Sequence, residues 1–112
     1  MFVVEMTGRP LTTLTHTCGD TAQDLQDVTG FVAQYSSGYD KQNVVSCLIT
    51  VETNDIRFAW GADPTQVGLG HVLSAGQSLK LTNHKQIIDF RFINKTNGSN
   101  AILQITPETS KV

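Results

Sequence analysis

Apolar residues recurring at every second position dominate this chain. In Val44-Val-Ser-Cys-Leu-Ile-Thr-Val-Glu-Thr53, Val45, Cys47, Ile49 and Val51 fall on one side, with Ser46, Thr50 and Glu52 on the other. A period of two belongs to a strand half-buried on a pleated sheet. Asp55-Ile-Arg-Phe-Ala-Trp60 alternates likewise, with Ile56, Phe58 and Trp60 opposite Arg57 and Ala59. Asn54-Asp55 tolerates left-handed backbone angles, so the two strands are expected to pair as a hairpin. His71 to Leu73 reads as a short strand, and Gln77 to Thr82 alternates with Leu79 and Leu81 inward. Ile87 to Lys95 reads as a strong strand with Ile88, Phe90 and Phe92 on one side. Asn97-Gly98 is the strongest hairpin signal. The last segment, Asn100 to Pro107, is apolar on both faces, which suits a central or interface strand ending at the proline.

Gly61 to Gly70 is a loop, since Pro64 lacks an N–H and the glycines interrupt any ladder. The first 40 residues are less regular. Phe2-Val-Val-Glu5 suits a strand or an arm adding to another sheet, and Leu11 to Thr15 a weak strand. Asp20 to Val28 fits a short helix capped by Asp20, and an irregular strand nearly as well. Tyr35 to Asp40 is a loop. Short strands separated by turns every 8–12 residues predict an all-β fold over residues 1–112. The expected form is a small antiparallel β-sandwich or jelly-roll-like barrel, with room for one short helix near the N-terminal third and residues 1–10 as a candidate arm.

Composition strengthens this reading. Val, Ile and Thr supply 31 of the 112 residues, and branching at Cβ favours strands. The length suits one domain. With 8 basic and 10 acidic residues the net charge is −2, and the basic residues form no run to neutralise successive phosphates. Direct nucleic-acid binding is therefore not expected. No segment approaches the length that spans a bilayer. Met1-Phe-Val-Val runs into Glu5 without the basic and apolar regions of a secretory leader. Cys18 and Cys47 are accordingly read as free thiols made in a reducing cytoplasm, with Cys47 in the core.

Catalytic chemistry finds little support. No serine lies in a G-x-S-x-G elbow. His16, His71 and His84 show no metal-ligand spacing. Gly68-Leu-Gly70 lacks the Lys-Ser/Thr of a phosphate loop and reads as a mobile or tightly turned loop. Asp20, Asp24 and Asp27 lack calcium-loop spacing and read as a solvated acidic face. No catalytic residue, cofactor or metal is expected, and the chain is not read as an enzyme. Trp60 shares parity with Ile56 and Phe58 and is expected to pack at the end of the core. Tyr35 and Tyr39 are the better candidates for contact with a partner, as are Phe2, Val3 and Val4 on the arm. Asn94-Lys-Thr96 and Asn97-Gly-Ser99 match the glycosylation pattern but read as turn chemistry.

From Ile49 onward the chain resembles small bacteriophage virion structural proteins, of the head decoration, cement or head–tail group. The carrying residues are Ile49-Thr-Val-Glu-Thr-Asn-Asp-Ile-Arg-Phe58, Gly61-Ala-Asp-Pro-Thr65, Gly70-His-Val-Leu73, Ala75-Gly-Gln-Ser-Leu-Lys-Leu81, Ile87-Ile-Asp-Phe-Arg-Phe-Ile93 and Ala101-Ile-Leu-Gln-Ile105. The resemblance covers a little over half the chain and implies a virion β-sandwich without catalytic residues. It puts Arg57 on an outer face and His71 beside the Pro64 loop. The expected function is a capsid decoration or cement protein, binding the major capsid protein or other virion proteins as a homo-oligomer. It would be made in the host cytoplasm and reside in the virion. The alternatives are a tail, neck or fibre-hub component, or a carbohydrate-binding module for host attachment using Tyr35, Tyr39 and Trp60.

Overall fold

A computed structural model describes residues 9–31 and 44–109. Within them the alternating segments form two antiparallel sheets. The first holds β1 (Arg9–Pro10), β2 (Leu14–Cys18), β4 (Val44–Thr53), β7 (Ser78–Leu81) and β9 (Ala101–Thr109). The second holds β3 (Gln23–Asp24), β5 (Ile56–Trp60), β6 (His71–Leu73) and β8 (Phe90–Asn94), in the order β3-β8-β5-β6. The expected all-β sandwich is the architecture observed. Cys47, Ile49, Val51, Leu103 and Ile105 of the first sheet share one buried cluster with Ile56, Phe58, Phe90 and Phe92 of the second. Cys18 is buried as well as Cys47, and neither thiol is in a disulfide.

The tight turns connect differently from the expectation. β4 pairs with β7 and β9, whereas β5 pairs with β6 and β8. Asn54-Asp55 is thus a corner between sheets, with Asn54 at a φ of 61°. Asn97-Gly98 likewise carries the chain from β8 in one sheet to β9 in the other, and Ser74 to Gln77 does so between β6 and β7. Left-handed turn residues reverse a chain, but they do not dictate which strand it then pairs with.

Four local readings need correction. In β4 the register shifts between Val44 and Ser46, so Val44 is buried and Val45 is partly exposed. Such a bulge inserts a residue and flips the parity before it. β9 runs past Pro107 to Thr109. Pro107 opposes Cys47, while its carbonyl accepts from the Leu11 N–H at 2.8 Å. Its ring nitrogen therefore faces the interval between β1 and β2 rather than β4, so the ladder with β4 loses no bond. The stretch read as a strand from Ile87 begins instead as a short helix, α1 (His84–Asp89), and Ile87 rather than Ile88 is buried. Asn83 caps it, its Oδ1 accepting from the Gln86 N–H at 2.9 Å, and Lys85 pairs with Asp89 one turn on. In the N-terminal third, a 3-10 turn at Leu25–Asp27 is capped by Asp24 rather than Asp20, with reciprocal Asp24–Asp27 bonds. Arg9–Pro10, the end of the candidate arm, pair with β9 of the same chain.

Candidate functional site

The loop between β5 and β6 is fastened to the second sheet by side chains reaching up from beneath it. Arg57 lies opposite Val72 and Ile93 in the ladders and so shares their outer face. Its Nε donates to the Gln66 carbonyl at 3.1 Å and its Nη1 to the Gly70 carbonyl at 3.0 Å. Arg91, opposite Ala59, extends Nη1 to the Asp63 carboxylate at 2.9 Å. A planar guanidinium can hold two carbonyls in fixed relation, which an ammonium cannot.

A second fastening lies at the end of β8. Asp20 Oδ1 accepts from Asn94 Nδ2 at 2.7 Å, the Gly98 N–H at 2.8 Å and Gln66 Nε2 at 3.2 Å. Gln66 also donates to the Asn94 side-chain oxygen at 2.6 Å. The Asn94 amide, and after it the Gly98 N–H, hold the Asp20 carboxyl below its ordinary range. Asn94 is fully buried at the end of β8, so its sequon begins in a strand and not in the turn expected. Asp20 is solvent-exposed, as the acidic-face reading expected, and in addition joins three segments.

Inside the loop, the Thr65 N–H donates to the Leu69 carbonyl at 3.0 Å, and the Leu69 N–H returns to Thr65 Oγ1 at the same distance. Thr65 Oγ1 also donates to the Val67 carbonyl. Gly70 has a φ of 122°, and a Cβ there would lie 3.1 Å from both the Phe58 carbonyl and Pro64 Cβ. Only glycine fits this approach.

This scaffold holds apolar side chains outward. Val67 is 87% exposed, Leu69 50% and Val72, on the edge strand β6, 42%. From Pro64 to Leu79 the sequence carries no Asp, Glu, Lys or Arg, the longest such run in the chain. That run is the signal from which the surface was legible. Trp60, expected in the core, is 40% exposed at the end of β5. Its ring meets Phe58, Phe90 and His71, and its indole N–H donates to the Gln86 carbonyl. The candidates Phe2, Val3, Val4, Tyr35 and Tyr39 lie outside the described residues.

The three histidines have separate surroundings. His16 bonds Gln23 and meets the edge of Phe92, His71 packs by Phe58, and His84 Nδ1 faces the Val44 carbonyl. Among the described residues no group of three or more His, Cys, Asp or Glu is placed to hold a metal ion. Among them, too, no helix is long and apolar enough to cross a membrane. One buried polar group stands out on the first sheet: Glu108 accepts from the Ser46 hydroxyl and lies 3.1 Å from Lys80 Nζ. Ser46 is itself buried, so its hydroxyl is closed to a substrate and this group serves the sheet.

Comparison with known protein families, with curated proteins and with solved structures finds no match to this chain.

Proposed function

We propose that this chain is a structural component of a bacteriophage particle, working by binding and assembly rather than catalysis. In this reading it decorates or cements the head, docking on the major capsid protein lattice as a homo-oligomer. The observation carrying the reading is the latched loop. Val67 and Leu69 are held outward by a network that leaves the loop little freedom to lose on binding, which favours a contact surface. A rigid sandwich with an uncharged edge also suits repeated symmetric contacts.

The test is quantitative mass spectrometry of purified particles. Copies in proportion to the capsid protein support the head position, and a handful per particle points to the tail, neck or fibre hub. Absence from particles that are otherwise complete overturns the reading. The half-open Trp60, with His71 beside it, favours one second reading, a sugar-stacking site for host attachment. A saturable change in tryptophan fluorescence on glycan titration would support it.

A further inference from the structure

We infer that Asn97 is a site of spontaneous conversion to aspartate and isoaspartate, and that Asp20 sets its rate by holding the nitrogen that must attack. Asn97 is the only asparagine in the chain followed by glycine. Where the next residue has no side chain, its backbone nitrogen can approach the side-chain carbonyl carbon of the asparagine. The Gly98 nitrogen bonds to Cγ of Asn97, the Cγ–Nδ2 bond breaks, and the proton of that nitrogen leaves with the amide group as ammonia. Water then opens the cyclic imide at either carbonyl, yielding aspartate or isoaspartate. Asn97 and Gly98 are both exposed, so water reaches them. A Cβ placed at Gly98 would meet nothing within 4 Å, so no neighbour shields the approach. Other asparagines are tied down or enclosed. Asn54 Nδ2 donates to the Asn100 carbonyl, Asn83 Oδ1 caps α1, and Asn94 is buried.

The fold opposes this chemistry at the attacking atom. The Gly98 N–H donates to Asp20 Oδ1 at 2.8 Å, and the Ser99 N–H donates to the Thr96 carbonyl at 3.0 Å. Gly98 has a φ of 79°, while Asn97 has no positive φ, the marks of a type II turn. In that turn ψ of the residue before the glycine is about +120°. Ring closure needs the Gly98 nitrogen beside Cβ of Asn97, and at this angle it is rotated well away. Bringing it round turns the Asn97–Gly98 peptide and takes its N–H off Asp20. The Asp20 carboxyl, held below its ordinary range by the Asn94 amide and the Gly98 N–H, is a poor base. It accepts the bond without taking the proton, and so restrains the nitrogen rather than activating it. Losing a hydrogen bond to a charged group before each attack slows conversion by about ten- to a hundredfold.

The chemistry needs no partner, so the assembly reading can fail without touching it. The test is to hold the whole chain at mildly alkaline pH for days and follow Asn97 by peptide mass spectrometry, which reads the shift from amide to acid and the isoaspartyl fraction. In urea the unfolded wild type should convert Asn97 ahead of every other asparagine. The folded wild type should convert it about tenfold more slowly, or slower still. Asp20→Ala, with its fold checked by circular dichroism, should recover about tenfold of that rate. Asp20→Asn keeps an acceptor oxygen without the charge and should fall between Asp20→Ala and wild type, which preserves the test if the alanine variant does not fold. Ile87→Ala loosens the core from α1 and should leave the Asn97 rate at the wild-type value. The inference is overturned if Asn97 stays intact in the unfolded chain, or if the folded wild type converts as fast as the unfolded. It is equally overturned by Asp20 variants no faster than wild type, which would leave the carboxylate idle or make it a base. An Ile87→Ala rate matching Asp20→Ala would overturn it too, since general loosening would then account for both.

Discussion

Replacing Arg57 by Met removes both guanidinium bonds to the loop while keeping a long apolar stem against the sheet. The two bonds, at 3.1 and 3.0 Å, run from a charged donor to backbone carbonyls on a half-buried face. A hydrogen bond to a charged group contributes about 1.5–3 kcal/mol where it is well shielded. Water can reach the two carbonyls once the arginine is gone, so the pair together is expected to contribute about 2 kcal/mol. Unfolding entropy scales with length, and for 112 residues that loss corresponds to a fall in Tm of roughly 8 °C. Scanning calorimetry measures the fall. Hydrogen exchange at the Thr65 and Leu69 amides, which bond only within the loop, reports whether the loop is released. Arg57→Lys should lie between the two, because a single ammonium cannot span both carbonyls. A Tm within about 2 °C of wild type, with exchange at Thr65 and Leu69 unchanged, would refute the idea that Arg57 latches the loop.

Four other outcomes follow from the packing and ionisation of named groups. Ile87→Ala should destabilise by about 3 kcal/mol in urea titration, whereas Ile88→Ala should cost under about 1 kcal/mol; the reverse order would restore the strand parity over the helix. The Asp20 carboxyl is held low by the Asn94 amide, so its stabilisation is present above the unfolded pKa of about 4 and disappears as pH falls through the lower folded value. Wild type should therefore melt above Asp20→Asn at neutral pH, with the gap closing towards pH 3 or so; a gap that is constant with pH contradicts the assignment. Burial pushes both thiols up to about 12, so iodoacetamide at pH 8 or so should leave Cys18 and Cys47 unmodified until the protein unfolds. For the same reason stability should decline above roughly pH 8.5, where the thiols of the unfolded chain ionise and those of the folded chain do not.

Strand positions were legible because burial on one face forces a period of two, which β4 and β5 show, while β9, apolar on both faces, was legible as the central strand it is. Pairing was not, because Asn54-Asp55 and Asn97-Gly98 satisfy the same backbone angles whether the chain returns to its own sheet or crosses to the other. The bulge at Val45 was invisible for a similar reason: nothing in a Val-Val pair says which residue is the inserted one. Ile87-Ile88 looked like strand because both are β-branched. The opposing signals, Asn83 as a cap and Lys85 four residues before Asp89, were present and outweighed by that propensity. Of the candidate surface, the loop and its lack of charge could be read directly. What could not be read was that Asp20, 46 positions before Gln66, returns to fasten it, since long-range side-chain bonds leave no periodic trace.

The distribution of charge around the loop explains how it can be both fixed and neutral. Arg57 and Asp20 lie outside the uncharged run and bond into it, Arg57 from the half-buried face of β5 and Asp20 from an exposed position, while the exposed Arg91–Asp63 pair ties the base of the loop. The Arg57 charge is matched by two loop carbonyls and is already partly withdrawn from water, so covering the outer surface strips little more from it. Had the same fastening been built from charged residues within Pro64–Leu79, covering the surface would carry a desolvation cost for each of them. With Arg57 beneath and valine, leucine and glycine above, the loop gains rigidity without losing its capacity to be buried. A loop serving only to connect β5 to β6 would gain nothing from Val67 and Leu69 in open solvent, which is why the arrangement favours a partner surface over a plain connection.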